Sequence, residues 1–485
     1  MKKFGLLIIT IVISVFTIPV FAQSETALKS ITESCFVKGI DDRLRCGKIT
    51  VPENYEQPNG RLIPINFVIL PAVKEGAQPD PLLILAGGPG QAATELTPMI
   101  ARIFKRIRER RDILLIDQRG TGQSHPLSCD ISHPDELVTA DDDQQLAEMA
   151  KACKQQYPDT DFRQYNTVNA VRDFERVRQA LGIKQLNLYG GSYGTRVGLT
   201  YLREAPEAIR TATLDAVVPN TAVIGPFGKN GSLAFQRMLE DCANSPQCNA
   251  TFPTLAESYQ EVMQRLNDEP VMLNGRDPLT NQPQDLLLTA GRFSSMVRMG
   301  LYSPSTRQLL PFVIDSAAEG YYKPTRGLLG SSINESTLYL GLTLSVVCSE
   351  DMPRATEQLL AEDGDNTFIG SRTADAFIEL CRYWPKFDAP AAWAEPVSSD
   401  KPVLLLSGEL DPVTPPQWAA KAAETLPNSI EVIAPYGGHT IAGHTCANQI
   451  VAQFVEQGSG AKLDTQCLSK EKMRPFVLNS NGAGL

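Results

Sequence analysis

Leu186-Asn187-Leu188-Tyr189-Gly190-Gly191-Ser192-Tyr193-Gly194-Thr195-Arg196 is the stretch on which the reading of the fold turns. Leu186 to Tyr189 has the length and apolar character of a buried strand, and the residues after Gly194 read as a helix through about Arg203. Between the two, Gly190-Gly191-Ser192-Tyr193-Gly194 matches Gly-x-Ser-x-Gly, a pattern that is weak alone and gains meaning from this context. A sharp strand-to-helix turn strains its central residue, and flanking glycines remove the side chains that would clash. Such a turn exposes the Ser192 hydroxyl at the carboxyl end of a sheet. It also turns the Tyr193 N–H, at the start of the helix, toward a developing oxyanion. The competing reading is a Gly-rich turn with a passive serine.

Outward from this turn, further short apolar runs alternate with helical patterns. Strands are predicted at 82–85, 113–116, 211–218, 403–407 and 430–433, and helices at 100–110 and 167–181. Continuous apolar strands alternating with helices indicate an α/β fold with a mainly parallel sheet covered on both faces. The alternation stops between about Asn220 and Trp393, where helical patterns (234–238, 255–266, 374–380) occur without a series of buried strands. We therefore expect an α/β-hydrolase core in two parts, 23–220 and 396–485, with a mostly helical cap inserted over 221–395.

A serine nucleophile needs a base, and the chain has four histidines. In the α/β-hydrolase order of serine, acid, histidine, His125 and His133 come too early, leaving His439 and His444. His439 follows the 430–433 strand through Ala434-Pro435-Tyr436-Gly437-Gly438 and is the expected base, with His444 in a structural role. The acid belongs after the preceding strand, where Val403-Leu-Leu-Leu-Ser-Gly-Glu-Leu-Asp411 offers Asp411, with Glu409 as runner-up. Gly87-Gly88-Pro89-Gly90 lacks the Gly-Lys-Ser/Thr ending of a phosphate-binding loop and fits better as the other half of an oxyanion hole, with Gly88 donating. Asp117 and Arg119 are read as an ion pair shaping the adjacent loop.

Composition bounds what remains. With 42% apolar and 21% charged residues, a globular core can be built. The formal charge is −10, which does not attract phosphate backbones, so no nucleic-acid partner is expected. Lys2 and Lys3 precede an apolar stretch from Phe4 to Val20, and Pro19-Val20-Phe21-Ala22 resembles a signal-peptide cleavage site. Residues 1–22 are therefore expected to be a cleaved signal peptide, the alternative being a retained anchor. Export to a bacterial periplasm or beyond, without stable membrane association, would place ten cysteines in an oxidising compartment. With four histidines and no Cys-x-x-Cys no metal site is expected, and with no Gly-x-Gly-x-x-Gly no other cofactor is expected either. Sequence alone leaves the disulfide pairing open. Five local pairs are favoured because each closes a loop-like segment: Cys35 with Cys46, Cys129 with Cys153, Cys242 with Cys248, Cys348 with Cys381, and Cys446 with Cys467.

Taken together, several segments resemble the peptidases of the prolyl iminopeptidase and tripeptidyl aminopeptidase group of α/β hydrolases. They are Gly-Gly-Pro-Gly at 87–90, Asp-Gln-Arg-Gly-Thr-Gly-Gln-Ser at 117–124, Gly-Gly-Ser-Tyr-Gly-Thr-Arg at 190–196, Leu-Asp-Ala-Val-Val-Pro at 214–219 and Gly-Gly-His at 437–439. Cys35…Cys46 followed by Val51-Pro52, Cys348…Cys381 with Trp384, and Cys446…Cys467 are similar to the exported branch of that group. Ala86, where cytosolic prolyl iminopeptidases usually carry His, fits that branch too. The resemblance implies a serine exopeptidase acting on peptides with a free N-terminus. An α-ammonium then needs carboxylates beside the nucleophile, and Glu350 and Asp351 are the candidates. An esterase with the same catalytic groups and a catalytically silent binding protein are the rival readings.

Overall fold

In the structure, a computed structural model, the described residues are 31–129, 143–276, 281–335 and 338–483. The expected signal segment and His133 lie outside them. Among the described residues eleven strands are present: β1 Thr32–Cys35, β2 Leu44–Pro52, β3 Leu62–Leu70, β4 Leu82–Leu85, β5 Ile113–Ile116, β6 Leu186–Gly191, β7 Ile209–Asp215, β8 Val271–Leu273, β9 Leu286–Leu288, β10 Val403–Gly408 and β11 Ser429–Ala434. Nine form one sheet in the order β1-β2-β3-β5-β4-β6-β7-β10-β11, and β8 and β9 form a separate hairpin-like pair. Within the nine-stranded sheet every pairing from β5 through β4, β6, β7 and β10 to β11 is parallel, while β1, β2 and β3 join antiparallel at one edge.

The short central strands are apolar throughout because both faces are covered. Successive side chains point to opposite faces. Leu83, Leu85, Leu114, Ile116, Leu188 and Leu405 join one core with Val171, Phe174 and Val197. Their neighbours Leu82, Ile84, Ile113, Leu115, Leu404 and Leu406 join another with Ile450 and Phe454. The antiparallel edge is an addition to the mainly parallel sheet read from the sequence. Its strand β3 contains Pro64 and alternates exposed and buried positions before an apolar end, a mixed pattern that falls between the strand templates. The helix expected over 100–110 is broken at Phe104, between Thr97–Ile103 and Lys105–Arg108.

After β7 the chain enters a run of helices that ends before β10. The helices from Gly228 to Glu335 build a core of their own around Met238, Tyr259, Phe293 and Ile314, which Phe476 from the C-terminal segment joins. Leu342, Leu344, Val347, Leu380 and Trp384 instead pack into the core beneath the sheet.

All ten cysteines are paired, each with its neighbour in sequence order. Cys35 bonds Cys46 and so ties the end of β1 to β2. Cys129 bonds Cys153, on the helix Asp143–Gln155. Cys242 bonds Cys248 between two consecutive helices of the insert, and Cys348 bonds Cys381 within the core beneath the sheet. Cys446 bonds Cys467 beyond the histidine loop. No helix among the described residues is long and apolar enough to cross a membrane.

Candidate active site

Strand order builds the site. β4 lies between β5 and β6, so the loop after β4 and the turn after β6 emerge side by side at the carboxyl ends of the strands, where open α/β sheets bind ligands. β7, β10 and β11 follow in order, adding the residues after their ends to the same rim.

At the end of β6, Ser192 has φ 56° and ψ −125°, a conformation that costs energy for any residue with a Cβ. The glycines on either side are dictated by space. A Cβ at Gly190 would lie 2.3 Å from the Gly194 carbonyl oxygen, and one at Gly194 would lie 2.1 Å from that of Leu85. Backbone cannot yield at such distances, so both positions exclude side chains. Ser192 is held from below by its N–H, which donates to the Asp215 carbonyl at 2.9 Å. Its carbonyl accepts from the Thr195 hydroxyl at 2.6 Å. The loop after β4 closes over it: a Cβ placed on Gly87 would be 3.4 Å from that of Ser192. Gly88 has φ +104°. Among the described residues neither the Gly88 N–H nor the Tyr193 N–H has a hydrogen-bond partner, which leaves both free to donate to an oxyanion.

The histidine and acid meet across the β10 and β11 loops. His439 Nδ1 lies 2.8 Å from Asp411 Oδ2. Asp411 also accepts from the Val413 and Thr414 N–H groups and from the Thr414 hydroxyl, at 2.7 to 3.0 Å. Burial alone would raise the Asp411 carboxyl; the His439 charge and the hydrogen bonds from His439 and Thr414 outweigh it and hold the pKa below the ordinary value. Burial would lower His439, but the charge and hydrogen bond of Asp411, helped by Asp215, raise its pKa above the usual 6.5. The runner-up acid, Glu409, is exposed, with Arg237 3.9 Å away. His444 accepts the Gly438 N–H through Nε2 at 3.1 Å, and burial, followed by the charges of Arg474 and His439, pushes it down to about 4. It is thus a neutral acceptor that shapes the glycine turn before His439.

Three residues in or beside the site were not singled out as functional from the sequence. Asp215, at the end of β7, is fully buried and accepts the Ile441 and Ala442 N–H groups, each at 2.9 Å, and the Tyr189 hydroxyl at 2.8 Å. It therefore caps the 3-10 turn that follows His439, while its own carbonyl holds Ser192. Burial raises its pKa to about 6. A clue lay in the sequence: Asp215 ends the strand neighbouring the serine strand. Thr414 supports Asp411, as described. Tyr302, from the helical insert, accepts the His439 N–H at its carbonyl (2.7 Å) and lays its ring edge-on against the imidazole, centroids 5.0 Å apart. The insert holds the opposite rim as well, since the Tyr339 N–H donates to the Gly90 carbonyl and the Thr343 hydroxyl to that of Pro89.

Two expectations are corrected. Asp117 and Arg119 do not pair with each other. Arg119 is fully buried and grips Asp173 through Nε and Nη2, both at 2.7 Å. Asp117 instead collects Thr94, Asn66 and Gln123, fixing the loop after β5 against the loop after β4. Both are fully buried, and each is matched by the donors or the charge that the fold brings to it rather than by its neighbour in sequence. Glu350 and Asp351 are likewise internal. Glu350 accepts the Thr167 N–H and hydroxyl, and the same hydroxyl meets Tyr193 Oη at 2.7 Å. Burial raises Glu350 to about 7. Asp351 takes both oxygens to Arg196 Nη1 at 2.9 Å and accepts the Ile224 N–H. At 1% and 0% exposure, neither carboxylate meets a cleft; both brace the helix that follows Ser192.

Sequence comparison agrees with this architecture. A family model described as alpha/beta hydrolase fold matches residues 80–442. The serine protease Hip1 of Mycobacterium tuberculosis is 25% identical over 457 residues, covering 86% of each chain. The tripeptidyl aminopeptidase of Streptomyces coelicolor is 24% identical over 473 residues, 89% of this chain and 84% of its own. Among solved structures, the proline iminopeptidase of Mycobacterium smegmatis aligns over 85% of this chain and 98% of its own, with 17% identity and a TM-score of 0.40. With its sheet order, its strained serine turn and a family match across three quarters of its length, the chain belongs to the alpha/beta hydrolase fold family.

Proposed function

We propose that the protein is a serine hydrolase of the peptidase type, an exopeptidase that releases residues or short peptides from free N-termini through an acyl-enzyme. The observation that carries the reading is the buried Asp411–His439 hydrogen bond beside a serine held at positive φ. With Nδ1–H donated to Asp411, Nε2 of His439 is left as the acceptor for the Ser192 proton. Ser192 Oγ then attacks the scissile carbonyl, the Gly88 and Tyr193 N–H groups stabilise the oxyanion, and His439 returns the proton to the leaving amine. Water enters, His439 takes its proton, and the acyl group leaves as the acid. The names of the relatives, serine protease and tripeptidyl aminopeptidase, favour amide bonds over esters. An insert bonded to both rims favours substrates that present an end rather than a passing chain. Disulfides throughout the described residues agree with an exported protein.

Glu350 and Asp351 are occupied internally, and it is the likeness to a tripeptidyl aminopeptidase that supports the demand for a free N-terminus. Aminoacyl and tripeptidyl arylamides are compared with their acetyl-blocked forms and with simple esters. Unblocked peptides should be cut fastest, and Ser192→Ala should abolish cleavage while leaving thermal unfolding unchanged. Faster cleavage of blocked peptides or esters refutes the aminopeptidase reading, and an active Ser192→Ala protein refutes the nucleophile.

A further inference from the structure

Tyr302 brings another side chain to the edge of the site. Arg298, four residues before it, is only half-buried. Its Cζ lies 5.6 Å from the ring centroid of Tyr302 and 5.6 Å from that of Phe227, so two aromatic rings hold it. Its Nη1 donates to Tyr302 Oη at 2.9 Å and its Nη2 to the Met299 sulfur at 3.7 Å. Among the described residues no carboxylate pairs with it. The buried arginines Arg119, Arg196 and Arg307 each have one. A guanidinium carries five N–H donors, and here one meets a hydroxyl and one a weakly accepting thioether. The Arg298 charge is felt at His439, where it opposes Asp411 and Asp215.

We propose that Arg298 is a specificity-determining residue that receives a carboxylate of the substrate, on the flank of the site formed by Phe227 and Tyr302. The inference rests on the reading of Ser192 and His439 given above. Cation–π contact with two aromatic rings and the hydrogen bond to Tyr302 restrict the guanidinium before binding, so less side-chain entropy is lost when a carboxylate docks on it. A planar carboxylate is the group that matches such a fork. It can belong to an acidic side chain or to the free C-terminus of a short peptide, and both offer the same pair of acceptor oxygens.

The test follows the rate at which a fluorophosphonate labels Ser192 while short peptides with free N-termini compete. The peptides come in two matched pairs: Glu against Gln as a side chain, and C-terminal carboxylate against amide. p-Nitrophenyl monoesters of glutaric and glutaramic acid supply a third, peptide-free pair. The carboxylate member of at least one pair should compete about tenfold better, as one charged hydrogen-bonded contact allows. That ratio should collapse toward one in Arg298→Gln and persist in part in Arg298→Lys. The pair that shows it identifies the source of the carboxylate. Equal competition within every pair in the native protein overturns the proposal. So does an Arg298→Gln protein in which both members weaken together, since the arginine would then only hold Tyr302. Failure of the native protein to label at all would instead overturn the nucleophile assignment, so the two failures are distinct.

Discussion

Asp215→Asn isolates what the fully buried carboxylate beneath the site contributes. In the native protein it accepts two backbone N–H groups from the turn after His439, and one hydroxyl from Tyr189. Asparagine keeps one acceptor oxygen and replaces the other with an NH2 group. One backbone N–H therefore loses its partner, and the new NH2 faces a donor. A hydrogen bond to a charged acceptor contributes about 1.5–3 kcal/mol, and an unsatisfied buried donor costs on the same order. If about 2 kcal/mol of that falls on the placement of the imidazole, kcat should drop roughly 30-fold, at 1.36 kcal/mol per factor of ten. KM should change little, because Asp215 is enclosed below the sheet rim. Removing its charge should also let the His439 pKa fall, since Asp215 is one of the groups that raise it. The acidic limb of the rate profile should then move to lower pH. Kinetics across pH 5–9 with an arylamide substrate, alongside thermal unfolding, would read both effects. A lower melting temperature with an unchanged kcat and an unmoved acidic limb would refute the positioning role and leave Asp215 a purely structural residue.

Further outcomes follow from the same geometry. In the native enzyme, His439 must be neutral to accept the Ser192 proton and its pKa is raised, so kcat/KM should increase with pH through a limb above 6.5. Asp411→Asn should lower that limb and reduce kcat by roughly 10³–10⁴-fold, because the imidazole loses both its tautomer and its counter-charge; a loss under tenfold would contradict the assignment. Gly194→Ala should fail to accumulate as folded protein or unfold at a much lower temperature, since its Cβ would press on the Leu85 carbonyl; native-like melting would show that the turn can relax.

Much of the core was legible because its signals are local. The central strands are continuous apolar runs, and buried parallel strands have to be apolar on both faces. The serine turn announces itself through Gly190 and Gly194, where backbone leaves no room for a Cβ. A chain order of serine, acid and histidine narrowed four histidines to two, and the loop before His439 narrowed them further. Disulfide partners were legible for a related reason, since Cys129 and Cys153, or Cys242 and Cys248, are separated by short stretches of chain. The antiparallel edge was not legible in the same way, because Pro64 and partly exposed positions blur the alternation of β3.

What only the tertiary structure decided concerns groups whose partners are distant in sequence. Arg119 lies two residues from Asp117 but pairs with Asp173, and Asp351 pairs with Arg196. Composition marks such residues as charged; it cannot say whether they face solvent, a substrate or one another. That choice depends on burial, because an ion taken out of water must be matched by a nearby opposite charge or hydrogen-bond donors. The acidic pair at 350–351 reads in the sequence as a candidate for holding a substrate α-ammonium, and the fold turns it inward to brace the helix after Ser192. The same holds for Tyr302 and Arg298, which no motif marks. Tyr302 reaches His439, and Arg298 reaches Tyr302, because the insert packs back over the sheet rim. Sequence by itself determined the turn and the order of the candidate serine, acid and histidine, since these are written in backbone sterics over a few residues. Which side chains surround them was decided by packing across hundreds of residues, where each polar group settles by the partners that the folded chain brings within reach.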